Sequence, residues 1–232
     1  MAKQENRFLK MIRSLPTGWM LLYYSLLLAS LFAFAELAEG IYRVQGFRFD
    51  SVILNWFFQA QSPALTRLAL LLDKLGISYF LGFIITTLAL LNLRKSLRSF
   101  FFLLLGFWGA VGVNLISKGF FERLRPDLFE QLTPITNYSF PSGHAMGSWA
   151  FWLCLMVVSR RRYPRVFPYI SLGGFVFAAL VGISRCYLQV HYPSDVLAAW
   201  VLSTAWVLSM AWWYTRGYRH WFPLIKNDDM DT

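Results

Sequence analysis

Two of the three histidines, His144 and His191, stand among cations, while the third, His220, lies near the C-terminus. Lys118 is followed seven residues later by Arg125-Pro126, and Pro141-Ser142-Gly143-His144 comes next. Ser184-Arg185 then precedes His191 by six residues, with Asp195 four beyond it. Lys118, Arg125 and Arg185 have no matching acidic cluster. Arg offers planar paired donors and Lys a compact charge, which together suit a tetrahedral oxyanion such as phosphate. Ser142-Gly143 at a helix start would add backbone N–H donors and a favourable dipole end. Two imidazoles beside an anion site suggest one nucleophile and one acid. Asp195, one helical turn from His191, can accept from one ring nitrogen and leave the other free to attack. Each feature has an ordinary reading by itself. A basic residue at a span end is commonly an interface anchor, and Glu122, Asp127 and Glu130 could neutralise nearby basic residues. Two His and an Asp also suggest a metal site, but three cations beside them would repel a divalent ion, so no metal is expected.

The elements that must position these residues follow from composition. Of the 232 residues, 57% are hydrophobic and 19% aromatic, and only 15% are charged, against about 25% in an average soluble domain. This argues against a disordered chain and an ordinary cytosolic enzyme, and for a membrane protein. Six apolar stretches have the length of membrane spans, at about 18–38, 77–93, 99–117, 145–159, 168–186 and 194–215. The expected fold is all-α, a polytopic membrane helical bundle forming a single domain over 1–232, without repeats or low-complexity segments. Ala33-Phe34-Ala35 fits a signal-peptidase pattern, but the apolar stretch before it exceeds the usual 7–15 residues, so the first span is read as uncleaved. Cys154 and Cys186 cannot make a disulfide framework.

The net charge of +10 is read as topology before nucleic-acid binding. The N-terminal tail, the turns after spans two and four, and the C-terminal tail carry 14 of the 22 basic residues. All four segments fall on one side of a six-span bundle, and the positive-inside rule makes that side cytoplasmic. Both termini are then cytoplasmic. The connections 39–76, 118–143 and 187–193 face outward, and every chemical residue above lies in them or at the adjoining span ends. The Arg160–Arg162 run reads as an inner anchor rather than a lipid-headgroup site. Segment 50–76 differs in kind. Ser62-Pro63 looks like an N-cap with proline at the first helical position, followed by Leu65, Leu68, Leu72 and Leu75; Val52, Ile53, Trp56 and Phe57 precede it. Two short amphipathic helices on the outer leaflet are expected there. Amphipathicity fits a bundle cap and the border of a lipid entrance equally well.

The joint pattern resembles the type-2 phosphatidic acid phosphatases. Lys118 with Arg125-Pro126 looks like their first signature, K-x6-R-P; Pro141-Ser142-Gly143-His144 matches P-S-G-H; Ser184-Arg185, His191 and Asp195 match S-R-x5-H-x3-D. All signature positions are present and in order over 118–195. The six-span layout is similar to that of the family's bacterial lipid phosphatases. The resemblance implies that His191 attacks phosphorus and forms a phosphohistidine, that His144 protonates the leaving oxygen, and that Asp195 orients His191. It implies that Lys118, Arg125, Arg185, Ser142 and the Gly143 amide hold the phosphoryl oxygens, with no metal or other cofactor. It places the protein in the bacterial plasma membrane, with a lipid phosphate as substrate and no nucleic-acid partner. An outward site puts undecaprenyl pyrophosphate first, converted to undecaprenyl phosphate. Phosphatidylglycerophosphate, phosphatidic acid and diacylglycerol pyrophosphate follow, and lipid A phosphatases use similar sites. A phosphotransferase passing the phosphoryl group to another acceptor is the alternative enzyme; a non-catalytic lipid-binding protein would not need both His and the Asp. The related vanadate-dependent haloperoxidases share the anion cradle but are soluble. Asn137-Tyr138-Ser139 fits an N-glycosylation sequon, taken here as accidental.

Overall fold

The computed structural model describes residues 18–133 and 135–216, and every regular element among them is an α-helix. They are α1 Gly18–Val44, α2 Arg48–Gln59, α3 Pro63–Gly76, α4 Ser78–Asn92, α5 Leu97–Phe121, α6 Gly143–Arg162, α7 Phe167–Tyr187 and α8 Pro193–Arg216. The six expected spans correspond to α1 and α4 through α8. The two tails counted for orientation, with His220, lie outside the described residues.

α1, α5, α7 and α8 are each long and apolar enough to cross a membrane, and α3 with α4 meets that test as a pair bent by 44°. α6 is less apolar for a physical reason. It packs against α5, α7 and α8, and Ala145, Met146, Gly147, Ser148, Ala150 and Cys154 on it are buried. A helix surrounded by helices needs small side chains for close approach more than it needs lipid-facing ones. It also runs beyond the expected 145–159 at both ends. α1 likewise outlasts its apolar run, since Glu39 pairs with Arg43 at 2.9 Å one turn on. It ends at Gln45 and Gly46, which have φ of 57° and 154°. At Gly46 a Cβ would lie 2.7 Å from Nη2 of Arg123, so glycine is required there twice over.

The segment 50–76 forms the two expected short helices. Ser62 caps α3, its Oγ accepting from the Leu65 N–H at 3.4 Å, with Pro63 at the first position. Most of the leucine stripe faces away from the protein. Leu65, Leu68 and Leu75 are exposed, as is Leu71, and Leu72 is half-buried, whereas Ala69 and Gly76 are buried and Asp73 is half-buried on the protein-facing side. On α2 Val52 and Trp56 are exposed, Ile53 and Phe57 are half-buried, and Asp50 and Leu54 are buried. In water such faces would be inverted; beside lipid they fit. α3 packs on α7, and α2 on α7 and α8, so each short helix delivers an aspartate to the same end of the bundle.

Candidate active site

The eight residues singled out in sequence meet at that end. Lys118 is in the last turn of α5 and Arg185 in the last turn of α7; Ser142, Gly143 and His144 open α6, and Asp195 lies in the first turn of α8. Arg125 and His191 come from the loops that follow α5 and α7. The α5–α6 loop is tied to α8 by the Ser142 N–H, which donates to the Asp195 carbonyl at 3.1 Å. Asn114 Nδ2 holds the Pro141 carbonyl at 3.0 Å. Its Oδ1 would lie 3.2 Å from a Cβ at position 143, so a side chain there would press on Asn114.

His191 is fully buried, with Nδ1 3.3 Å from Asp195 Oδ2. Its Nε2 is 3.2 Å from Nη1 of Arg125. A guanidinium can only donate, so these contacts assign the proton to Nδ1 and the lone pair to Nε2. Burial holds the imidazole well below its usual range, and Arg125, Arg185, Lys118 and His144 add to the effect. A neutral ring with an open lone pair is the nucleophilic form. Burial also brings the Arg125 guanidinium down to about 10, where it is still cationic at neutral pH.

Asp195 is held by more than its histidine. Oδ2 accepts from the Ser139 hydroxyl and from the Tyr192 N–H at 3.0 Å. Oδ1 accepts from Nη1 of Arg123 at 2.5 Å. Arg123, 2% exposed, also donates to Ser194 Oγ at 2.8 Å and to Asp50 Oδ2 at 3.0 Å, and lies over the Tyr192 ring. Asp50 in turn accepts from the Ser194 N–H at 2.9 Å. Sequence reasoning missed Arg123, Asp50 and Ser139. Arg123 belongs to no signature position, and Asp50 reads in sequence as the polar face of an amphipathic helix. Asn137, read in sequence only as part of a sequon, accepts at Oδ1 from Arg125 at 2.5 Å and from Lys118 at 3.4 Å.

The other half of the site is differently furnished. Ser142 Oγ, His144 Nε2 and all three guanidinium nitrogens of Arg185 are buried without a hydrogen-bond partner. Arg185 does touch a carboxylate, forming an ion-pair contact with Asp73 of α3. The same Asp73 Oδ1 is 3.2 Å from His144 Nε2. Donors converging from α6 and α7 beside an imidazole with an open lone pair could hold a tetrahedral oxyanion.

Comparison with known proteins places this geometry. The PAP2 superfamily model matches residues 99–219. The chain belongs to the PAP2 superfamily. A protein named undecaprenyl-diphosphatase, from Sulfolobus acidocaldarius, is 28% identical over 187 residues, 78% of this chain and 86% of that one. The Bacillus subtilis phosphatidylglycerophosphatase B is 38% identical over 95 residues, 39% of this chain and 45% of that one. The crystal structure of the transmembrane PAP2 type phosphatidylglycerolphosphate phosphatase of B. subtilis superposes with a TM-score of 0.73 at 26% identity, covering 84% of this chain and 98% of that one. Aquifex aeolicus LpxE shares the fold, with a TM-score of 0.59 at 21% identity, over 72% of this chain and 97% of that one. The protein is thus a multi-pass membrane member of the PAP2 lipid phosphatase family.

Proposed function

We propose that the protein hydrolyses the terminal phosphate of a membrane lipid through a phosphohistidine at His191, with undecaprenyl pyrophosphate as the first-ranked substrate. The observation that carries this reading is the His191 ring, with Nδ1 against Asp195 and Nε2 turned toward the cationic side. In the first step Nε2 attacks phosphorus and the P–O bond to the lipid breaks. The bonding pair stays on the lipid oxygen, which takes a proton from His144. In the second step water attacks the phosphohistidine, gives its proton to His144, and the P–N bond breaks to release inorganic phosphate. Lys118, Arg125, Arg185, Ser142 and the Gly143 amide would stabilise the equatorial oxygens. Three cations supply that charge, so no metal is invoked.

The name of the Sulfolobus relative favours a lipid diphosphate, and that of the Bacillus relative makes phosphatidylglycerophosphate the second substrate. The positive-inside count puts the site on the outer face of the plasma membrane and both tails inside. The test is a panel of lipid phosphates and diphosphates incubated with purified protein in EDTA, with released phosphate and lipid products measured. Hydrolysis in EDTA is expected; transfer to another lipid in place of phosphate release would make the enzyme a phosphotransferase. Sidedness is tested with single cysteines at Glu130 and Asp228, in a background lacking Cys154 and Cys186. An impermeant thiol reagent on spheroplasts should label position 130 and spare 228. The reverse would invert the protein and remove the reason for ranking the undecaprenyl lipid first.

A further inference from the structure

Asp73 lies outside all three signatures, on a helix whose exposed leucines face away from the protein. Its side chain nevertheless enters the site, reaching His144 Nε2 at 3.2 Å and Arg185. The approach is built into the helix pair. Gly76, on the same face of α3, packs so closely on α7 that a Cβ there would lie 2.6 Å from Val181 Cγ1. Val181 is one turn before Arg185, so contact at Gly76 draws Asp73 to the end of α7. Each histidine therefore has its own carboxylate, Asp195 at His191 Nδ1 and Asp73 at His144 Nε2.

We infer that Asp73 is a positioning residue that favours the protonated, proton-donating form of His144, and that it thereby sets how well the enzyme cleaves lipid monophosphates relative to lipid diphosphates. This rests on the hydrolase reading above and deepens it. The charged groups facing His144 are Asp73 from α3, Arg185 from α7, Lys118 from α5, and Arg125 and His191 from the loops. Burial first, then the cations Arg125 and Lys118, oppose an imidazolium; Asp73 is the carboxylate in contact that favours it. An imidazolium carries two protons, so Asp73 can hold one while the other goes to the leaving oxygen.

The two substrate classes need that proton to different degrees. Cleaving a monophosphate expels an alkoxide, a strong base that must be protonated as the P–O bond breaks. Cleaving a diphosphate expels a phosphate monoester, whose second pKa is about 6 and which leaves readily as an anion. A carboxylate at the leaving-group side also repels the second phosphate of a diphosphate. Asp73 thus favours monophosphate cleavage on both counts.

The experiment compares wild type, Asp73→Asn, Asp73→Glu and the exposed control Lys74→Gln on phosphatidic acid and diacylglycerol pyrophosphate, which share one lipid. Asp73→Asn should lower kcat/KM on phosphatidic acid at least about tenfold, with a loss under about threefold, or a gain, on the diphosphate. The alkaline limb of its pH profile on phosphatidic acid should move down by about one unit or more, because without the carboxylate His144 loses its proton at lower pH. Asp73→Glu should keep the substrate ratio near wild type, and Lys74→Gln should change neither. Equal losses on both substrates with an unmoved pH profile would reduce Asp73 to a packing residue. Equal gains through a lower KM would make it a competitor of phosphate for Arg185. Either result overturns this inference while leaving the hydrolase standing. A wild type that releases no phosphate from any lipid would instead overturn the hydrolase reading on which it rests.

Discussion

The two histidines sit in unlike surroundings. Around His191 both ring nitrogens and both Asp195 oxygens have partners, and Arg123 Nε alone of that network lacks one. Asp195 is held by Ser139, the Tyr192 N–H and Arg123, and Arg123 is held by Asp50 and Ser194. Around His144 the buried Ser142 hydroxyl and the Arg185 guanidinium have no hydrogen-bond partner, and Asp73 is the charged contact. A closed network holds a ring in one tautomer and one orientation. Unpaired buried donors are costly to keep, and their persistence together in one place suits a region that must receive oxygens. One half of the site is built to stay still and the other to bind.

The comparison breaks most sharply at the proposed nucleophile. His191→Ala should reduce phosphate release on the order of a thousandfold or more, with the protein still inserted and folded. Rapid quenching of wild type with labelled substrate should trap an acid-labile phosphoenzyme that the variant lacks. Wild-type turnover in His191→Ala would end the proposed mechanism. The next largest effect should come from Arg123→Met. It leaves the buried carboxylates of Asp50 and Asp195 without their shared cation, so a loss of about 3–5 kcal/mol in stability is expected, together with lower turnover. Thermal unfolding in detergent would measure it. Unchanged stability would show that the closed half is not held by this ion pair.

A smaller contrast separates Arg185 from Arg125. Each Arg→Lys change should lower turnover at least about tenfold, through loss of one charge-assisted contact of about 1.5–3 kcal/mol. Arg125 already donates to the Asn137 carbonyl at 2.7 Å and to the Val190 carbonyl at 2.5 Å. Its replacement should therefore also lower the unfolding temperature, whereas Arg185→Lys should lower turnover alone. Arg94→Lys is the exposed control, and equal turnover losses in all three variants would make the two arginines mere anchors.

What could be read from residue order was local to helix ends. Lys118, Ser142, Gly143, Arg185 and Asp195 sit within a turn or so of a helix terminus. Spans that alternate across a membrane force every second connection to the same side, so apolar run lengths alone bring these residues to a common end. The spacing of His191 and Asp195 is likewise one helical turn, and needs no distant contact to be meaningful. Ser62-Pro63 foretold the start of α3 for the same reason, since capping is a matter of adjacent residues.

Tertiary structure alone decided which carboxylates join the site. Asp50 meets Arg123 from 73 positions away, and Asp73 reaches Arg185 across the close contact of Gly76 with Val181. Both aspartates lie on helices with apolar stripes, where a charged residue ordinarily marks the solvated face. Lipid beside those helices reverses the assignment, because the leucines can then face outward and the carboxylates inward. Composition and spacing thus determined the membrane setting and the order of the chemical groups. The pairing of each histidine with its carboxylate waited on helix packing, since the rotation of a short helix about its axis depends on what surrounds both of its faces.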